Sequence, residues 1–192
     1  RTTGKLSGSL HGVPVLVKDN IETSDMPTTA GSLSLEGFRT GKDADLVKRL
    51  KAAGAIILAK TNLHEFAIWG ESISSIKGQT YNPYDLTRTP GGSSGGTGAA
   101  LAANFGLVGI GTDTINSIRS PSSANNLVGI RPTVGLVSDD GIVPYSLTQD
   151  TAGPMARNVA DAVAVLKVIA VQDLPEVHVS DCQRIGVLRS FF

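Results

Sequence analysis

Residues 91 to 96 read GGSSGG, and the run TPGGSSGGTG (89 to 98) leads straight into AALAANFG. Glycine opens backbone conformations closed to other residues and lets another group approach closely. Two serines set between two glycine pairs therefore mark either a loose surface loop or a turn against which something packs. Eight of the chain's 22 glycines crowd between 91 and 111, and neither a repeat nor a low-complexity tail accompanies them. A phosphate-binding loop is a third reading, since glycine-rich turns entering a helix cradle anions. It fails because Gly98 is followed by Ala99 and Ala100 rather than Lys and Ser or Thr, and no GxGxxG follows a strand.

The segments around this turn alternate between strand and helix patterns. VPVLVK (13 to 18) reads as a strand that delivers Lys18 and Asp19 to its end. From Asp43 as N-cap, Leu46, Val47, Leu50 and Ala53 share one helical face, Gly54 closes the helix, and the buried strand AIILAK follows. Gly98 to Asn104 forms a small-residue helix ended near Gly106, and LVGIG (107 to 111) is a strand ended by Thr112 and Asp113. VGIR (128 to 131) and IGVL (185 to 188) are further short strands. A helix capped by Asn158 buries Val159, Ala162, Val163, Leu166 and Ile169. Such alternation predicts an α/β fold, in which ligands gather at strand ends. Lys18 and the segment around Asp113 both occupy strand ends.

Composition narrows the function. A chain of 192 residues suits one domain with a sizeable core. Seventeen basic residues balance seventeen acidic ones without a run of either sign, so nothing marks a surface for DNA, RNA or anionic lipid, and a small neutral ligand is the better expectation. Apolar runs such as AIILA are too short to span a bilayer. Cys182 stands alone, which excludes an internal disulfide and a cysteine-based zinc site and fits a reducing compartment. A cytoplasmic location follows as the expectation. Because the chain begins at Arg1, an upstream signal or domain is expected to be missing.

A serine nucleophile needs a base, usually histidine held by a carboxylate. Only His11, His64 and His178 are present, no G-x-S-x-G elbow surrounds a serine, and His64-Glu65 lacks the second histidine of a zinc helix. The usual hydrolase and metalloprotease patterns are absent. A buried lysine can act instead, because desolvation favours its neutral form. Lys18, in the apolar context VPVLVKDN, is the candidate; solvation or pairing with Asp19 is the plainer alternative. In GTDTINSIRSPSS (111 to 123), Asp113 and Arg119 are spaced to brace a turn as a structural ion pair, with Ser117 between them.

Together these segments resemble the amidase signature family of serine hydrolases. HGVPVLVKDNI (11 to 21), KTNLHEFA (60 to 67), TPGGSSGGTGAALA (89 to 102), GTDTINSIRSPSSANNLVGIRPTVG (111 to 135) and QDTAGPMARNVADA (149 to 162) occur in the family's order and spacing. The resemblance implies a mixed β-sheet core with helices on both faces. Residues 1 to 192 would form a single domain without the N-terminal helical region and C-terminal half of full-length members. It implies a Ser–Ser–Lys triad: Ser117 attacks, Ser93, held by a cis peptide, relays the proton, and Lys18 is the ultimate base. Ser94, Asp113 and Arg119 would support the site, and backbone N–H groups from Thr114, Ile115, Asn116 and Ser117 would hold the oxyanion. The implied reaction cleaves a small-molecule carboxamide to carboxylate and ammonia through an acyl-enzyme, with no metal or cofactor. Two rivals remain: the amidase-type subunit of a tRNA-dependent amidotransferase, and a catalytically silent truncated domain that binds or self-associates.

The sequence departs from the family pattern in three places. Many members carry Gly-Gly before the nucleophile where this chain has Ile115 and Asn116. A β-branched Ile adopts positive φ only at a cost, so either the turn uses ordinary backbone angles or the oxyanion site is distorted. VSDDG (137 to 141) stands where members often have a basic residue, and Asp139 is expected on the surface without a role. Members are also more than twice as long; in so short a chain an exposed sheet edge invites homo-oligomers.

Overall fold

A computed structural model describes residues 6 to 175. The predicted strand at 185 to 188, Cys182 and His178 lie outside the described residues. In chain order the main elements are β1 (Pro14–Lys18), α1 (Asp45–Ala52), β2 (Ile56–Thr61), β3 (Ile73–Ser74) and β4 (Gly78–Gln79). They continue with α2 (Gly95–Ala102), β5 (Val108–Asp113), α3 (Arg119–Ala124), β6 (Val128–Gly129), β7 (Thr151–Ala156) and α4 (Val159–Ile169). Five strands form one mixed sheet in the order β2-β1-β5-β7-β6, and β3 and β4 pair as a separate hairpin.

The first three strands of the sheet run parallel; β7 is antiparallel to both β5 and β6. Parallel strands covered on both faces read as continuous apolar runs, and every residue of β5 is buried. On one face Leu46, Val47 and Leu50 of α1 and Ala162, Val165, Leu166 and Ile169 of α4 pack with Val15, Val17, Val108 and Ile110. On the other, Leu101 of α2 and Ile118 meet Leu16 and Met155. The predicted layering, helices on both faces of a mixed sheet, is the observed one.

The local signals explain the helices. Asn158 caps α4 by accepting a hydrogen bond from the Asp161 N–H at 2.8 Å, and the apolar residues at 162, 165, 166 and 169 follow the helical period. Arg49 of α1 pairs with Asp45 one turn earlier and donates to the Ala170 carbonyl at the end of α4, tying the two helices together. Gly54 takes a positive φ of 85° after α1, as a helix-ending glycine does.

Several expectations are corrected. Asp43 is not the cap of α1; that place is Ala44, with no side-chain bond, while Asp43 accepts from the Ser24 N–H and from Lys51. Val159 is exposed at the start of α4, and Val165 is buried instead. The strand AIILAK is the edge of the sheet, with Ile56 and Leu58 about half exposed at 53% and 50%. VGIR contributes only Val128 and Gly129 to the sheet, and α2 starts at Gly95 rather than Gly98. The sequence reading also passed over β7, because Gly153 and Pro154 are ordinary strand breakers. In the fold Pro154 sits between β5 and β6 with its carbonyl accepting from the Ile130 N–H. No helix among the described residues is long and apolar enough to cross a membrane.

Candidate active site

The parallel pairing of β1 with β5 places Val17 beside Ile110, so the last residue of β1, Lys18, emerges next to Thr112. Lys18 is fully buried. Its Nζ donates to Ser93 Oγ at 2.7 Å, to Thr112 Oγ1 at 2.7 Å and to the Thr112 carbonyl at 3.4 Å. Thr112 Oγ1 also accepts from Asn20 Nδ2 at 3.1 Å. Burial pushes the Lys18 amine down from 10.5 to about 7, against the opposing pull of the Asp113 and Asp150 carboxylates. The three contacts suit both protonation states. As an ammonium Lys18 donates to all three oxygens; as an amine it keeps two N–H donors for Thr112 and presents its lone pair to the Ser93 hydroxyl. The alternative of a solvated lysine or a Lys18–Asp19 pair fails, because Asp19 pairs with Lys60 at 2.8 Å and accepts from the Thr29 N–H.

The GGSSGG turn is not a surface loop: residues 90 to 98 are buried throughout. Gly91 has a positive φ of 71°, and a Cβ on Gly96 would come within 2.2 Å of the Asn62 carbonyl oxygen. The glycines thus let neighbouring backbone close over the serines. The Gly92–Ser93 peptide is cis. The Ser93 carbonyl accepts from the His64 N–H at 3.0 Å and from Ser72 Oγ at 3.3 Å. Ser94 Oγ donates to the Thr112 carbonyl and accepts from the Thr112 N–H, at 3.1 and 3.2 Å, so the turn is bonded to β5.

Ser117 follows the end of β5 and is 8% exposed. The Ser94 N–H donates to its carbonyl at 3.3 Å, which sets the two serine segments side by side. No hydrogen bond joins Ser93 Oγ to Ser117 Oγ in this conformation. Ser117 lines a cavity of about 460 Å³ with Thr114, Ile115, Asn116, Trp69, Glu71 and Tyr145. Neither Ile115 nor Asn116 has a positive φ, so the turn uses ordinary backbone angles and needs no glycine.

Asp113, fully buried at the end of β5, accepts through Oδ2 from the Ile118 N–H at 2.9 Å and from Arg119 Nε at 3.4 Å. Its Oδ1 lies 3.3 Å from Arg131 Nε. Asp139 is exposed. Sequence reasoning missed Thr112, Asn20, Ser72, Arg131 and Asp150. Thr112 could have been singled out, since it shares a strand end with Asp113. Ser72 carries no local signal, because its partners Gly91, Ser93 and Gly95 are some twenty positions away. Among the described residues, no group of three or more His, Cys, Asp or Glu side chains is placed to hold a metal ion.

A family model described as Amidase matches residues 1–189. The glutamyl-tRNA(Gln) amidotransferase subunit of Streptomyces coelicolor is 49% identical over 173 residues, covering 90% of this chain and 35% of that protein. Among solved structures, the native peptide amidase of Stenotrophomonas maltophilia is 54% identical with a TM-score of 0.85, covering 90% of this chain and 36% of its own. The same glutamyl-tRNA(Gln) amidotransferase subunit from Thermotoga maritima is 42% identical with a TM-score of 0.84, covering 86% of this chain and 37% of its own. The chain spans little more than a third of the length of these relatives. A match over nearly its whole length, in sequence and in fold, shows that the chain belongs to the amidase family, whose signature motifs it carries.

Proposed function

We propose that this chain carries the nucleophile, relay and base of an amide hydrolase: Ser117, Ser93 and Lys18. The observation that carries the reading is the fully buried Lys18, held near neutrality by desolvation, with Nζ 2.7 Å from Ser93 Oγ. A lysine that titrates near 7 can take a proton at neutral pH and return it. Ser117 Oγ bonds to the carbonyl carbon of the amide while its proton passes to Ser93 and the Ser93 proton passes to Lys18. The C–N bond then breaks as the proton returns through Ser93 to the leaving nitrogen, giving the acyl-enzyme and ammonia or an amine. Water repeats the sequence in reverse and releases the carboxylic acid. Closure of the contact between Ser93 and Ser117 accompanies substrate entry, since catalytic hydrogen bonds tighten in the substrate complex.

Intact mass after exposure to a fluorophosphonate, with peptide mapping, tests the reading on the wild type and Ser117→Ala. A stoichiometric adduct on Ser117, lost in the variant, is the expected result. A folded protein that takes up no adduct would overturn the reading in favour of a silent binding domain. The chemistry serves two substrate classes, and the relatives favour both: a peptide amide, as for the peptide amidase, or glutamine with ammonia passed to a partner, as for the amidotransferase subunit. Ammonia release from amidated peptides against release from glutamine separates them.

A further inference from the structure

In a trans peptide, the C=O of one residue and the N–H of the next lie in one plane and point in opposite directions. Holding a carbonyl therefore aims the N–H that follows it. The peptides of the 114 to 117 turn are trans. Three successive carbonyls there are each held by a donor: Thr114 by Arg131 Nη2 at 3.5 Å, Ile115 by Arg119 Nη2, and Asn116 by the Ser120 N–H at 2.7 Å. The N–H groups on the reverse of those three peptides belong to Ile115, Asn116 and Ser117. They have no acceptor among the described residues, and all three residues line the cavity beside Ser117.

Both arginines face the same buried carboxylate, Asp113: Arg119 Nε donates to Oδ2, while Arg131 Nε lies 3.3 Å from Oδ1 as an ion pair without a hydrogen bond. Arg131 is the more enclosed, its side chain 26% exposed against 55% for Arg119. It also donates to the Gln149 carbonyl at 2.9 Å, so a single guanidinium joins the end of β5, the turn and the approach to β7. We propose that Arg131 is a positioning residue for oxyanion binding: through the Thr114 carbonyl it aims the Ile115 N–H at the carbonyl oxygen of an amide attacked by Ser117. Arg119 does the same for the Asn116 N–H. The inference rests on the catalytic reading above. When Ser117 Oγ bonds to the carbonyl carbon, the π pair of the C=O moves onto oxygen, and that new charge meets N–H groups already turned toward it.

The test compares wild type with Arg131→Lys, Arg131→Gln and Arg131→Ala below their melting temperatures. Three quantities are read: the rate of fluorophosphonate labelling, the affinity for a peptide aldehyde, and the affinity for the matching peptide alcohol. The aldehyde can add Ser117 and form the oxyanion; the alcohol cannot. Misaiming one donor should lower both the labelling rate and the aldehyde affinity by at least about tenfold while alcohol affinity holds, since losing such a donor costs on the order of 100-fold. Methylguanidine should restore part of the loss in Arg131→Ala. Arg131→Lys keeps a positive charge beside Asp113 but not the Nη2 that reaches both carbonyls while Nε faces the carboxylate, so it decides the matter if the alanine variant does not fold. A folded Arg131→Lys or Arg131→Gln protein with wild-type labelling and an unchanged aldehyde-to-alcohol ratio would overturn the inference. A wild type unlabelled at Ser117 would instead overturn the catalytic reading.

Discussion

Replacing Lys18 by Met should stabilise the protein, and by an amount that grows as the pH falls. Lys18 is fully buried, and its folded value of about 7 stands about 3.5 pH units below the ordinary 10.5. At 1.36 kcal/mol per unit, forcing the ammonium into this site costs about 5 kcal/mol. The sign follows from which state binds the proton first. As the pH falls through 10.5 the unfolded chain takes up the proton while the folded one does not, so stability declines; once the pH is below about 7 both are protonated and the loss is complete. About 2 kcal/mol has gone at pH 9 and nearly all of it at pH 6. Met has similar length and no charge, and forfeits only the bonds to Ser93 and Thr112, worth about 1 kcal/mol each and independent of pH. The measured quantity is the difference in unfolding free energy between Lys18→Met and wild type, from urea titrations followed by circular dichroism between pH 6 and 9. Groups common to both proteins, Lys60 among them, cancel in that difference. It should be about 3 kcal/mol more in favour of Met at pH 6 than at pH 9. A difference that does not change with pH would refute the reasoning, because Lys18 would then titrate alike in both states.

Under the proposed mechanism the same titration sets reactivity: the neutral fraction of Lys18 is about one half at pH 7 and about 1% at pH 5, so fluorophosphonate labelling of Ser117 should slow about tenfold per pH unit below 6, and a flat profile from pH 8 to 5 would contradict the lysine base. Gly96→Ala should cost about 3 kcal/mol or unfold the protein, since the new methyl lies 2.2 Å from a backbone oxygen that cannot rotate away; an unchanged melting temperature would show that the turn is looser than its packing implies.

What the sequence disclosed and what it withheld divide along a physical line. Features written in local periodicity were legible: the buried Ala162, Leu166 and Ile169 of α4 (though not Val165), its Asn158 cap, and the runs that became β1 and β5. So were the motifs around Lys18, Ser93 and Ser117, whose residue types and order carried the family resemblance. Whatever depends on a distant partner was not. Asp43 has the chemistry of a cap, yet Ser24 and Lys51 claim its oxygens. β7 contains Gly and Pro and is a strand only because β5 and β6 flank it. Ser72 and Arg131 act on groups whose positions no window of sequence reveals. The conflict between Ile115-Asn116 and a glycine turn could be posed from the sequence, but only the backbone angles resolved it.

That resolution explains how the turn can vary. A loop can aim N–H groups in two ways: by glycines that reach positive φ, or by donors behind it that hold the carbonyls of the same peptides. Here neither Ile115 nor Asn116 leaves ordinary φ, and Arg131, Arg119 and the Ser120 N–H supply the donors. The side chains at 115 and 116 are then released from the work of shaping the backbone. Ile115, 69% exposed, lines the cavity with Trp69 and Tyr145. A substitution there that keeps φ negative should therefore alter which amide binds while leaving the attack on it intact, whereas a change at Arg131 should do the reverse.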